Sequence, residues 1–190
     1  MRRKWISGLG IMLLMMWITA GCTENSVENT ANENQNVEST VEDSQIYSEL
    51  KEGDEAPEFT AELADGTTFT LSEQKGKIVL LNFWATWCGP CVAEMPAFER
   101  LHGEYGEDVA VLAVNCLEDK ETVDQFISDE QYTFPIAYDA AGKINQKYPS
   151  DGIPYTLVID EEGMIQKIYV GAADAETQYQ EYKSAIEALK

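Results

Sequence analysis

Apolar and polar residues alternate through EFTAELADGTTFTL, with a break only at Asp65-Gly66. That pattern predicts two short antiparallel strands joined by a tight turn. KIVLLNFW is a continuous apolar run of the kind that forms a strand buried on both faces. From Cys91 onward the spacing changes, and Val92, Met95, Phe98 and Leu101 recur every third residue as one face of a helix. DVAVLAVN predicts a second buried strand, and Val123, Phe126 and Ile127 a second helix capped by Asp119. TFPIAYD reads as a short or edge strand, followed by a small helix around Ile144 to Tyr148. YTLVID and MIQKIYVG pair across a turn at Glu161 to Gly163. Tyr179, Tyr182, Ile186 and Leu189 mark the buried stripe of a closing helix. Two strands connected through a helix, then a hairpin and a last helix, predict an α/β sandwich around a mixed sheet.

The beginning of the chain has another character. MRRK is basic, WISGLGIMLLMMWI is apolar, and TAGC brings small residues up to a cysteine, the three-part layout of an export signal. The run resembles a bacterial lipoprotein signal, which would occupy residues 1–21 and leave Cys22 as the lipid-bearing N-terminus. Thr19 departs from the leucine usual at that position, and the other reading is an uncleaved anchor helix. Within residues 22–53 the stretch TENSVENTANENQNVESTVEDSQ itself has no basic or aromatic side chain, and the segment predicts a flexible acidic tether. The folded domain is then expected over 54–190. The formal charge of −21 argues against a nucleic-acid partner and against adhesion to anionic lipid by charge alone.

Cysteine usage brings in chemistry. Apart from Cys22 the chain has Cys88, Cys91 and Cys116, a poor set for a disulfide framework. The pair in NFWATWCGPC could hold a metal, act as a staple or exchange electrons. A metal would need His102, the only histidine, yet it lies eleven residues past Cys91 on the same predicted helix, or about 16 Å along the axis. A bridge across three residues closes a very small loop and adds little stability. Electron exchange fits better. Cys88 would stand at a helix N-terminus, where unpaired N–H groups and the dipole favour a thiolate. Pro90 suits the first turn, and Cys91 sits one turn in. The motif also falls where a buried strand passes into a helix, the usual place for chemistry in α/β sheets.

NFWATWCGPC, Pro96, and GIPYTLVIDEEGMI together resemble the thioredoxin fold over about Asp54 to Gly171. The long connection carrying the Val123–Ile127 helix and the leader resemble the membrane-tethered TlpA/ResA-type oxidoreductases. That resemblance implies a thioredoxin-like sandwich with an N-terminal β-hairpin and an inserted helix. It makes Cys88 the attacking and Cys91 the resolving cysteine, with no cofactor beyond their redox-active disulfide and no metal. It also implies a cis Pro154 facing the cysteines, with Trp87, Gly89, Pro90 and Ile153 completing the partner-facing surface, and leaves Trp84 to the core. The implied partners are exported proteins with disulfides or oxidised thiols and a membrane electron donor of the CcdA/DsbD type. The implied location is the outer face of the cell membrane, through the lipid.

Several positions depart from the pattern or stand outside it. Asn82 occupies the place of the buried aspartate of thioredoxin and cannot titrate, so Glu118, just past the next strand, is the candidate proton acceptor, against a plain solvated loop acid. Tyr155 stands where the family often has threonine. Cys116 reads as a small buried hydrophobe on the same side of the sheet as Cys88, with an alternative-partner role open to it. His102 reads as a helix-surface residue. The Gly-Pro between the cysteines resembles reducing thioredoxins, so reduction is favoured over a disulfide-forming oxidase or isomerase. A peroxiredoxin-type peroxidase would want threonine where Ala85 stands and an arginine nearby, and none follows Arg100. A non-catalytic binding module would leave the motif unused.

Overall fold

The computed structural model of the chain describes residues 48–190. The leader, Cys22 and most of the expected tether lie outside the described residues. Ordered contact begins ahead of the expected boundary at Asp54: Leu50 packs on the core, and Gly53 N donates to Ile165 O at 2.7 Å.

β1 (Thr60–Glu62) and β2 (Thr68–Thr70) form the predicted antiparallel hairpin. Asp65 Oδ1 accepts from both Thr67 N and Thr67 Oγ1, which holds the turn. The main sheet contains β3 (Ile78–Trp84), β4 (Val109–Cys116), β5 (Ile136–Asp139), β6 (Tyr155–Ile159) and β7 (Ile165–Val170). Their order is β5-β4-β3-β6-β7, parallel between β3, β4 and β5 and antiparallel through β6 and β7. Every residue of β3 is buried, as its unbroken apolar run predicts for a strand covered on both sides.

Period-two alternation sends the two faces to different cores. Ile78, Leu80 and Trp84 join residues from α1 (Gly89–Tyr105), α2 (Lys120–Glu130) and α3 (Ala175–Glu187). Val79, Leu81 and Phe83 face the hairpin residues Phe59, Ala61 and Phe69 together with Ile144 and Tyr148. Bridges Leu63↔Ala137 and Glu55↔Met164 cover part of the outer edges at β5 and β7.

The helices begin where their side chains predict. Asp119 caps α2 through Thr122 N, and Asp174 caps α3 through Glu176 N and Thr177 N. The small helix expected near Ile144 to Tyr148 is a single 3₁₀ turn over Asn145–Lys147. Its start is held by the buried Asp139 carboxylate, which accepts from Ile144 N and Asn145 N. No helix among the described residues is long and apolar enough to cross a membrane.

Candidate active site

β3 delivers the chain to the sheet's edge, residues 85–88 turn it, and α1 carries it back beneath the sheet. Cys88 is the N-cap of α1, with extended backbone, and its Sγ accepts from Cys91 N at 3.3 Å. The helix therefore directs an N–H and its positive end at this sulfur, which favours the thiolate once the pair is reduced. Cys88 and Cys91 are joined by a disulfide, with an S–S distance of 2.05 Å. Cys91 is wholly buried, whereas Cys88 keeps a small exposed surface, so an incoming sulfur reaches Cys88 first. Pro90 occupies the first turn, and a Cβ at Gly89 would meet nothing within 4 Å, so that glycine leaves open space beside the sulfurs.

The Ile153–Pro154 peptide bond is cis, and Ile153 O lies 3.7 Å from Cys88 Sγ. The turn before β6 thus sets backbone directly against the reactive sulfur. Tyr155 is buried and packs on Phe83 with ring centroids 6.1 Å apart, so the residue that replaces the family's threonine belongs to the core. Trp84 is likewise core, against Phe126 at 5.0 Å. Trp87 is 73% exposed beside Cys88.

The buried acid is Glu94, a residue that sequence reasoning passed over. It lies one turn beyond Cys91 on α1 with no exposed surface. Asn82 Nδ2 donates to Glu94 Oε1 at 2.9 Å and also to Thr156 Oγ1 at 2.9 Å. Tyr182 OH donates to Glu94 Oε2 at 2.7 Å and accepts from Gln178 Nε2 at 2.8 Å. Burial pushes the Glu94 carboxyl up to about 7, against the pull of the Tyr182 and Asn82 hydrogen bonds. Its signal was present in the sequence: positions 91, 94 and 95, 98 and 101 share one helix face, so a carboxylate interrupts an otherwise apolar stripe.

Glu118, the expected proton acceptor, is engaged by the loop that precedes Cys88. Its Oε2 accepts from Thr86 N at 2.7 Å and Asn115 Nδ2 at 2.7 Å, and its Oε1 accepts from Thr86 Oγ1 at 2.5 Å. These bonds tie the end of β4 to the loop that carries Trp87 and Cys88, so Glu118 positions that loop. Glu94 is the acid that shares a helix face with Cys91.

Cys116 corrects a second expectation. It packs with Val114, Leu112 and the hairpin side of the sheet, while Cys88 belongs to the helix side. Period-two alternation along β4 explains the difference, since Ala113 and Cys116 lie an odd number of residues apart. Burial, and then the charge of Asp139, push this thiol up to about 12, so it is a core residue and a poor nucleophile. His102 is half-buried in the last part of α1, about three turns beyond Cys91. Among the described residues, no three His, Cys, Asp or Glu side chains are gathered as a metal site requires.

With this geometry established, comparison with known proteins is specific. A profile of the AhpC/TSA family matches residues 52–168. The chain belongs to the AhpC/TSA family. It is 45% identical over 125 residues to the thioredoxin-like protein YneN of Bacillus subtilis, covering 64% of this chain and 73% of that one. It is 40% identical over 141 residues to the thiol-disulfide oxidoreductase ResA of Oceanobacillus iheyensis, covering 72% of each. Among solved structures, a putative thiol:disulfide interchange protein DsbE from Chlorobium tepidum superposes with a TM-score of 0.66 at 30% identity, covering 72% of this chain and 99% of that one. The pneumococcal exposed lipoprotein thioredoxin Etrx1 gives 0.60 at 30%, covering 67% and 99%. Within the AhpC/TSA family the chain is a thioredoxin-fold thiol-disulfide oxidoreductase of the ResA type. At the position where a peroxidase would carry threonine, Ala85 is fully buried and offers no hydroxyl.

Proposed function

We propose that this AhpC/TSA-family oxidoreductase works outside the cytoplasmic membrane as a reductase of disulfides in exported proteins. The observation that carries the reading is Cys88 at the N-cap of α1, bridged to a fully buried Cys91 and faced by the Ile153–Pro154 turn. The Cys88 thiolate attacks one sulfur of a partner disulfide, and the other partner sulfur leaves as a thiolate. A mixed disulfide between Cys88 and the partner results. Cys91 then loses its proton to Glu94 and attacks Cys88 Sγ, releasing the second partner sulfur and leaving the Cys88–Cys91 disulfide. Two electrons pass to the partner, and a membrane donor of the CcdA/DsbD type would restore the dithiol. A carboxyl titrating near 7 is matched to accept and return a proton at neutral pH.

Location rests on the leader pattern before Cys22 and on similarity to Etrx1, itself described as an exposed lipoprotein. The deciding experiment is the reduction potential of the Cys88–Cys91 couple, followed by tryptophan fluorescence in dithiothreitol or glutathione buffers with Cys116→Ser as control. A value near or below about −250 mV is expected; one above about −180 mV would replace this reading with an oxidase or isomerase.

A further inference from the structure

Three large apolar side chains among the described residues are strongly exposed: Trp87 at 73%, Leu117 at 66% and Val170 at 60%. The topology brings all three to one rim of the sheet. Trp87 follows the C-terminal end of β3, and Leu117 follows the C-terminal end of the parallel β4. Val170 ends β7, opposite Tyr155 just after the cis Pro154. Cys88 lies on the same rim, so any partner sulfur bonded to it brings its own chain across these side chains.

Leu117 is the unusual member. Its φ of 61° is left-handed, a conformation that favours glycine or asparagine and is a true outlier for a bulky residue. The placement is nonetheless well defined. Leu117 N donates to Asp139 O at 3.2 Å, and its side chain lies so close over Gly142 that a Cβ there would stand 2.7 Å from Leu117 Cδ2. Gly142 is itself left-handed, with φ of 68°. The next residue, Glu118, is locked to Thr86, which fixes Leu117 relative to Trp87 and Cys88. The fold thus holds an apolar side chain in a strained conformation, seats it on a glycine and still leaves most of it in water. Neither folding nor thiol chemistry gains from that. Backbone strain maintained beside a reactive group points to function.

We propose that Leu117 is a partner-contact residue that gives this enzyme a preference for disulfides flanked by apolar side chains. The proposal rests on the thiol–disulfide reading above and extends it to the class of substrate. The apolar rim continues the surface that a partner of Cys88 must occupy. Leu117 lies on the β4 side of it, away from the Ile153–Pro154 turn, one strand spacing of about 5 Å across from the β3 end and, with the turn at residues 85–88 added, about three residues of extended chain from Cys88. The occupant is an extended segment of an exported polypeptide with an aliphatic residue about that far from its half-cystine.

The test uses two synthetic peptides, each with one cysteine joined by a disulfide to thionitrobenzoate. They are identical except for leucine or serine three residues to either side of the cysteine. Reaction with the dithiol enzyme releases thionitrobenzoate as Cys88 takes the peptide sulfur, and Cys91 then frees the peptide thiol. The wild-type second-order rate constant is expected to favour the leucine peptide about tenfold, as partial burial of one leucine allows. In Leu117→Gly and in Leu117→Asn, which also tolerates the left-handed backbone, that ratio falls towards one while the Cys88–Cys91 potential stays at the wild-type value. A ratio unchanged in both variants overturns the proposal. So does an equal slowing of both peptides or a shifted potential, either of which would make Leu117 a support for the loop. A wild-type enzyme that reacts with neither peptide would instead remove the reductase reading itself.

Discussion

Glu94 is the residue on which the chemistry and the stability of this protein meet. The groups facing it are Asn82 from β3 and Tyr182 from α3, with Thr156 of β6 behind both, and Tyr182 is the only one that titrates. Burial, in the first place, holds Tyr182 above its ordinary range, so it remains a donor throughout the working range of pH. A carboxyl raised from an unfolded value of 4.5 to about 7 binds its proton more tightly in the folded state. The folded protein then carries more protons than the unfolded chain between these values, and stability falls as pH rises through that window. The cost is complete above about 7 and amounts to roughly 3 kcal/mol. Glu94→Gln removes this dependence and keeps an acceptor for Asn82, while its amide N–H replaces the acceptor of Tyr182 OH, which can turn its proton to Thr156 Oγ1 at 3.3 Å. Denaturant unfolding at pH 5 and pH 8 should show the variant gaining on wild type by about 2–3 kcal/mol at the higher pH. In the same variant the resolving step should slow by about 10²-fold at pH 7 and lose its titration near 7, measured as release of the second partner thiol. A wild-type pH profile in Glu94→Gln would move the proton acceptor elsewhere.

At the scale of elements, α3 completes the site from far away in sequence. Tyr182 reaches across to α1, and Gln178 holds the tyrosine hydroxyl while its own Oε1 accepts from Ala173 N at 3.2 Å. Tyr182→Phe leaves Gln178 Nε2 and Glu94 Oε2 each short of a buried partner, which should cost about 1–3 kcal/mol in chemical denaturation. Loss of a hydrogen bond that favours the carboxylate also moves Glu94 further up. The pH profile of the resolving step should shift to higher pH, with the rate recovering as pH rises; a profile unchanged in position would make the tyrosine purely structural. This link shows why the site was only partly legible. Periodicity identified the apolar stripe of α3, the strands and both cysteines, because those depend on local spacing. Glu94, Asn82, Tyr182 and Thr156 come from four separate elements, and their network exists only after packing. The side of Cys116 was misjudged for a related reason: its face depends on the phase of alternation along β4, and hydrophobicity on both faces hides that phase. Glu118 was found at the right end of the right strand, but the hydroxyl and N–H of Thr86 that engage it could not be read from one dimension.

At the scale of the whole molecule, the distribution of character along the chain and over the domain bears on how it is held at its place of work. Among the described residues, exposed surface salt bridges such as Lys77–Glu107 and Arg100–Glu176 carry little of the stability. The formal charge of −21 would repel anionic lipid, so surface electrostatics cannot keep this enzyme at a membrane. The first part of the chain, where the apolar run ends at TAGC, is the candidate means of retention there. Acyl chains on Cys22 would supply it, since stable anchoring takes more than one lipid chain or a basic patch, and the sequence after Cys22 offers no basic patch. Wild-type protein should therefore incorporate labelled fatty acid and Cys22→Ser should not, while the Cys88–Cys91 couple keeps its potential in both. If the wild type takes up no label yet stays in the membrane fraction after high-salt washing, the apolar run is an uncleaved anchor. A shift of the protein from membranes by salt alone would point to a protein partner as the tether.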